Sequence, residues 1–548
     1  MKSYKMKSRF ITAIAALACC VSCVEINNGI GGNLVPTEQI FKIYSSEAPL
    51  TDISLKMADS LSGYSSTRIT VGAVKDEDYG TTTRSAALTL VPMFIDKLDL
   101  GKDPILKYFH FAVAKDTVNY ADQNQANILQ HLSVYELEKA LDPEKDYDCN
   151  MEVGHGTSRI NDGYLLYNGK DSLSFNFTKE FAEKYLTLKN DDVKDMKTYL
   201  KKFPGIFIES GKPSGGSGRI NMFNLQLGYD ANSYFISGNI AKLKFSSIFD
   251  GERKDTALNF YLSALDFYDI DSLLTNVGAG SYPQYGLNLT GHETRSKAGK
   301  AGEMIPIEGG GGLKPVISAK GLKHLAEEEI AKKGGNPKNV ILNKATLVFP
   351  FQFPDNYKDV DMKWPPYLSP TVKITTDTSA RFVGLYNASS EDENQGDINR
   401  SLCQYAPDIT YHLQELLGID ENDKENSKTK MLDRGDYDIW LLIMATETIT
   451  TSNTQDDDMS EYYNYLAYQS YYNNMYGGYG GYGGYGNSYS NYYNYMMMAQ
   501  LASSSSTTTT SSVQLDINRY YKAALNGPGC ENGPRLKLVF SVPNSNKE

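Results

Sequence analysis

Short apolar segments recur in the same order in the two halves of this chain, and that recurrence limits its fold more than any other feature. Ala87-Leu88-Thr89-Leu90-Val91-Pro92 is matched by Ala345-Thr346-Leu347-Val348-Phe349-Pro350. Upstream of each lies a segment ending in glycine, Ile69-Thr70-Val71-Gly72 or Leu287-Asn288-Leu289-Thr290-Gly291. Downstream, Leu132 to Leu137 corresponds to Thr371 to Thr375, and Leu173 to Phe177 to Ile409 to Leu413. Gly205 to Ile208 corresponds to Ile439 to Ile443, and Leu258 to Leu262 to Leu536 to Phe540. Ile53, Leu55 and Met57 alternate with polar residues, the signature of a strand with one buried and one wet face. Short β-branched and aromatic runs separated by turn residues predict antiparallel sheets. The expected fold is mainly β: two tandem jelly-roll-like β-sandwiches with a few short helices. The expected division is a signal peptide at 1–22, a lipidated tether and first-strand lead-in at 23–50, one sandwich at 51–280 and a second at 281–548.

Two helices are legible. Val193, Met196, Tyr199, Leu200 and Phe203 form an apolar stripe that stops at Pro204-Gly205, and Leu322, Leu325, Ala326 and Ile330 form another that stops at Gly334-Gly335. Phe181 with Tyr185, and Leu416 with Leu417, point to short helices following the strands at Leu173 and Ile409. All are too short to be stable alone and must pack on a sheet.

The N-terminus reads as an address. Lys2, Lys5, Lys7 and Arg9 precede an apolar run from Phe10 to Val21, then Ser22 and Cys23. The run fits a signal-peptide core and is short of the ~20 residues that span a bilayer. Cys23 is the expected lipidation site, with Cys20 as the alternative. Acyl chains on that cysteine would hold the chain to a membrane. The expected location is the cell envelope, as an outer-membrane lipoprotein facing either the periplasm or the surface. Beyond the anchor only Cys149, Cys403 and Cys530 remain. Buried free thiols are the first reading; a Cys403–Cys530 bridge is the second.

A net charge of −12 without a basic stripe argues against nucleic acid as a partner. The stretch at 451–515 is of low complexity. It holds fourteen tyrosines between Tyr462 and Tyr495, then a Ser/Thr run from Ser503 to Ser512. Such composition predicts a disordered loop projecting from the second sandwich. Tyrosine faces there could stack on sugars.

Motifs for chemistry are sparse. His110, His131, His155, His292, His324 and His412 show no metal-ligand spacing. Gly215 to Gly218 and Gly309 to Gly312 lack the lysine of a phosphate loop and read as flexible turns. Carboxylates cluster at Asp76-Glu77-Asp78, Asp146 with Asp148, and Asp456-Asp457-Asp458. They read as solvated loop charge. The Asp146 loop places Met151 where a calcium loop needs glycine. Trp364-Pro365-Pro366-Tyr367 is read as a packed loop anchor, with a flat sugar platform as the second reading. Ser60, Thr117, Ser172, Thr256 and Ser272 sit in Asp-Ser/Thr-small-apolar segments resembling O-glycosylation sites. No catalytic, cofactor-binding or metal residue is assigned, and no cofactor is expected.

Four markers in order carry a resemblance. They are the glycine-rich segment ending Asn33-Leu34-Val35-Pro36; Arg68 to Gly72 with Asp76 and Asp78-Tyr79-Gly80; Phe203-Pro204-Gly205-Ile206-Phe207-Ile208; and Leu525-Asn526-Gly527-Pro528 followed by Leu536-Lys537-Leu538. Together they resemble the Bacteroides-type lipoprotein family called domain of unknown function 4270, over nearly the whole mature chain. That family carries no established activity, so the resemblance implies no catalytic residue. The expected function is a non-catalytic envelope lipoprotein that binds a polysaccharide or an envelope protein. A glycan hydrolase using loop carboxylates and a structural envelope component are the alternatives.

Overall fold

The computed structural model describes residues 41–543 except 66–67, 95–96, 117–119, 122–127, 143–146, 214–217, 226, 231–234, 264–266, 268–283, 356–359, 361–362, 376–379, 386–395 and 453–506. Cys23, the signal segment and the tyrosine-rich stretch lie outside the described residues, as do Asp146, Thr117, Ser272 and Asp456-Asp457-Asp458. The protein is mainly β, with 51% strand against 15% helix, and its strands pair antiparallel.

Two packed-sheet cores account for most of the buried apolar residues. In the first, Gly80–Leu88 is the hub of one sheet and pairs with Arg68–Asp76, Ile206–Ser210 and Gly286–His292. The facing sheet runs Ser172–Asn176, Lys102–Ala114, Ile240–Phe249, Glu252–Leu262 and Leu90–Pro92. Between them lie Ile69, Val71, Leu88, Phe109, Phe111, Ile206, Ile208 and Phe260. Helices Lys179–Leu186 and Met196–Lys202 close this core with Phe181, Tyr185 and Tyr199, whose rings pack on Phe109 and Phe203. Thr178 and Asp195 cap them by accepting from Phe181 N and Thr198 N. Met196–Lys202 gives way to Pro204-Gly205 as expected. Gly205 has a φ of 109°, and a Cβ there would lie 2.2 Å from the Leu88 oxygen, so only glycine lets the chain enter the Ile206–Ser210 strand.

In the second core, one sheet runs Ile53–Met57, Leu313–Ile317, Ile439–Ser452, Tyr367–Thr375 and Ala380–Gly384. The other runs Phe41–Pro49, Arg535–Pro543, Ile341–Pro350, Gln404–Tyr405 and Ile398–Asn399. Ile53, Leu55, Ile317, Ile439 and Leu441 meet Leu342, Leu347, Leu536 and Phe540 between the sheets. Helix Ala319–Lys332, capped by Ser318, buries Leu322, Ala326 and Ile330 against them.

The internal repeat is visible as shared pairing. Gln130–Leu137 pairs with Ile206–Ser210 as Tyr367–Thr375 pairs with Ile439–Ser452. Leu90–Pro92 pairs with Glu252–Leu262 as Ile341–Pro350 pairs with Arg535–Pro543. The two halves nevertheless exchange strands across residue 280. Ile53–Met57, from the span expected for the first sandwich, pairs with Leu313–Ile317 in the second. Gly286–His292, from the span expected for the second, pairs with Gly80–Leu88 in the first. Alternation specifies which face of a strand is buried, not which neighbour it takes, so this exchange is silent in the pattern.

Two local expectations are corrected. Ile409 to Leu413 is not a strand: helix Thr410–Leu417 begins there and buries His412, Leu413, Leu416 and Leu417. Within the expected loop at 451–515, Thr507–Leu515 is a strand paired with Ile439–Ser452, Met444 opposite Leu515 and Ser452 opposite Thr507. Its threonines favour the pleated conformation.

Candidate functional site

Charge gathers in two places: a buried seam between the cores and an open cleft on the outer face of the second-core sheet. The seam forms where the Thr82–Arg84 end of strand Gly80–Leu88 meets Leu313–Ile317 and the paired strands Met304–Glu308 and Lys522–Asn526. Arg84 and Lys314 are each 1% exposed, and Glu308 is buried beside them. Arg84 Nη1 lies 3.4 Å from His292 Nε2, and His292 Nδ1 lies 3.5 Å from Glu308 Oε1. The other Glu308 oxygen accepts from the Thr294 hydroxyl and from Leu313 N. Burial pushes the His292 imidazole down to about 4, so it is neutral at pH 7. Burial alone would raise Glu308, but the His292 contact and the Thr294 and Leu313 donors hold it down to about 2.

Gly309-Gly310-Gly311-Gly312, expected to be a flexible turn, is buried throughout. It wraps the Lys314 ammonium, which donates to the Glu308 carbonyl, to Gly310 O at 2.9 Å and to Gly312 O at 3.2 Å. Burial lowers the Lys314 ammonium to about 7. Gly310 has a φ of 60°, and a Cβ there would fall 2.8 Å from Arg84 Nη2. Cys149 Sγ accepts from Thr290 Oγ1 at 3.8 Å, and burial pushes its thiol up. Asn288 crosses the seam, accepting from Thr70 N at 2.9 Å and donating to Asn518 Oδ1 at 2.9 Å. Tyr79, in the turn after Asp76, donates to Ala523 O at 2.7 Å, and Lys522 sits 4.7 Å from the Tyr79 ring centroid. These are reactive residue types, but glycine backbone fills the space against them. The seam joins the sheets, and its Arg84, Glu308 and Lys314 side chains are buried.

The cleft lies at the end of the same sheet face and is open to solvent, with a volume of about 450 Å³. Alternation places Lys56, between Leu55 and Met57, on the face away from the core. Lys373 and Trp440 share that outer face, so the two ammonium groups lie 5.7 and 5.6 Å from the Trp440 ring centroid. Lys373 is also 5.8 Å from the Phe382 ring, which meets Trp440 edge to face at 5.2 Å. Burial lowers the Lys373 ammonium, opposed by Asp59 and Asp148. The rim carries charges of both signs. Arg295 donates to both Asp59 oxygens at 3.1 and 2.9 Å. Asp438 accepts from Ala319 N at 3.0 Å and lies 3.6 Å from Lys56 Nζ. Asp436 accepts from Arg434 Nε at 3.0 Å. Each of these carboxylates has a cation beside it. Lys373 has contacts with aromatic rings and no carboxylate or carbonyl partner among the described residues.

The residues singled out by sequence are scattered. Asp76 closes the turn to Gly80–Leu88 by accepting from Asp78 N and Tyr79 N. His412 is buried against Tyr437 O at 3.0 Å, His155 stacks on Phe207, His110 meets Asn176 Oδ1 at 2.9 Å and His324 meets Glu421. His292 alone of these lies in the seam. Trp364 packs against Phe351 with centroids 5.8 Å apart, and Tyr405 donates to Pro365 O, which is the anchor reading of that loop. Cys149, Cys403 and Cys530 are free thiols. Ser60 and Thr256 are half-buried and Ser172 is exposed. Among the described residues, no group of three His, Cys, Asp or Glu is placed to hold a metal ion, and no helix is long and apolar enough to cross a membrane. The cleft residues Lys56, Lys373 and Trp440 were not identified from sequence. For the lysines the signal was their place on the wet face of alternating strands; Trp440 sits in an unbroken apolar run and gave none.

No family model, no curated protein and no solved structure matches the chain.

Proposed function

We propose that this chain is an envelope lipoprotein, anchored through Cys23, that binds a polysaccharide or an envelope protein through the cleft on the outer face of its second-core sheet without transforming it. The observation that supports this reading is the cleft itself. It is open to solvent and gathers cations and carboxylates around the Trp440 ring, which is the kind of surface that recognises a polar ligand. A hydrolase needs one carboxylic acid and one free carboxylate facing each other. Here Asp59, Asp436 and Asp438 are each engaged by a cation, which suits recognition better than acid–base chemistry. The four sequence markers keep the family called domain of unknown function 4270 as the proposed relationship. Tyr79 of the second marker donates to Ala523 O, on the strand Lys522–Asn526 that carries the start of the fourth.

The test has two parts. Membrane fractions of cells expressing the full chain should hold the protein, and Cys23→Ala should release it; retention of that variant would remove the anchor. The full chain should also retain at least one envelope polysaccharide or protein on an affinity support. Failure to retain any would overturn the binding role.

A further inference from the structure

Resting on the binding role just proposed, we infer that the ligand of this cleft is an acidic saccharide, its carboxylate held by Lys373 and its hydroxyls by the rim carboxylates. Lys373 is the cation whose charge is least answered in the cleft. Its ammonium faces the Trp440 and Phe382 rings at 5.6 and 5.8 Å and meets no oxygen of the protein among the described residues. Lys56, on the other flank of Trp440, is 3.6 Å from Asp438 and is therefore partly answered. An ammonium held over aromatic faces keeps its hydrogen-bond donors available for an incoming anion.

The rim supplies the complementary half of the site. Asp59, Asp436 and Asp438 are bound by cations on one side, and each retains lone-pair capacity, since a carboxylate offers about four acceptor positions. Acceptors of that kind take hydroxyl protons. A ligand that satisfies both halves must be anionic and polyhydroxylated at once. A simple anion would leave the rim carboxylates repelling it, and a neutral sugar would leave the Lys373 donors unanswered. The volume of about 450 Å³ lies within the range of small-molecule sites, about 300–1,000 Å³. Arg295 and Arg434 hold Asp59 and Asp436 in place, so the acceptors are positioned before the ligand arrives.

The experiment is calorimetry on the full chain in detergent with four probes: digalacturonate, its neutral counterpart digalactose, inorganic sulfate, and an aspartate hexapeptide. Digalacturonate should bind, and the other three should bind at least about tenfold more weakly, as one charge-assisted hydrogen bond allows. Lys373→Met should lower digalacturonate affinity at least about tenfold, while Lys373→Arg keeps most of it. Neither substitution should move the thermal midpoint by much, because Lys373 loses only its contacts with the Trp440 and Phe382 rings, which methionine partly replaces and arginine keeps. Unchanged digalacturonate affinity in Lys373→Met, or equal binding of digalactose, would overturn acid recognition and leave a neutral-sugar cleft standing. Binding of the peptide or sulfate in preference would overturn the saccharide class. No binding of any probe, together with no retained envelope partner, would remove the cleft and the binding role at once.

Discussion

Lys56 and Lys314 occupy opposed positions on the paired strands Ile53–Met57 and Leu313–Ile317, yet their ammonium groups meet opposite surroundings. The Lys56 side chain is 47% exposed at the cleft, and Lys314 is sealed inside the glycine turn. The sheet face that joins the two cores therefore passes within one strand pair from structural charge to charge available for binding.

Replacing Lys314 with methionine should destabilise the fold by about 3 kcal/mol. Three carbonyls, those of Glu308, Gly310 and Gly312, lose their donor, and hydrogen bonds to a charged group are worth about 1.5–3 kcal/mol each before relaxation. The variant also changes the pH profile. The folded ammonium titrates near 7 and the unfolded one near 10.5, so between these values the unfolded chain binds more protons and stability rises with pH. Urea unfolding at pH 7 and pH 9.5 should show this rise in the native protein and a smaller one in Lys314→Met. Equal rises would mean that Lys314 is not the buried cation responsible.

Gly310→Ala should cost about 1–3 kcal/mol, combining a left-handed backbone with a Cβ pressed against Arg84 Nη2. Gly334→Ala makes the control. Its φ is 78°, but its Cβ would meet nothing within 4 Å, so it should lose only the conformational part, about 1 kcal/mol. Equal losses in urea unfolding would show that the Gly310 contact carries no weight.

Much of the layered fold was legible in sequence, because period-two patterning and turn chemistry are local. Leu173 to Phe177, Ile206 to Ile208 and the helix after Asp195 lie where those signals put them. Partner choice is not local, and so the placement of Ile53–Met57 and Gly286–His292 was not legible. Composition also misread the Gly309–Gly312 run. Glycine gives a free turn in solvent and a close-packed one when a lysine two residues on must be wrapped, and only the tertiary neighbours Arg84, Cys149 and Arg519 decide which. The Ile409 segment failed for a related reason: a two-turn helix and a short buried strand share the same apolar run.

Thiol reactivity should divide the three cysteines of the described chain. Cys149 is fully buried, and burial pushes its thiol up, so little reactive thiolate is present. Cys403 and Cys530 are partly exposed. Brief alkylation of the native protein followed by peptide mass mapping should modify Cys403 and Cys530 and spare Cys149, and alkylation in urea should modify all three. Rapid native labelling of Cys149 would show that the seam opens.

Acid should weaken the fold through histidines that are buried neutral. His412 sits on helix Thr410–Leu417 with Nε2 3.0 Å from the Tyr437 carbonyl, and burial lowers its imidazole to about 4; His292 behaves alike in the seam. For each, the unfolded ring binds a proton near 6.5 and the folded ring only near 4. Their contribution is thus complete above pH 6.5 and is lost as pH falls toward 4. Charging His412 in place would bury a cation against Tyr437, and its carbonyl and the nearby Glu415 carboxylate answer that charge only in part, since burial outweighs them. His412→Gln keeps a donor for that carbonyl and does not titrate. It should be less stable than the native protein at pH 7, by about 1 kcal/mol for imperfect packing, and should lose less stability between pH 7 and pH 4.5. Urea unfolding at the two pH values measures both quantities, and an identical acid loss in native protein and variant would assign the sensitivity to groups other than His412.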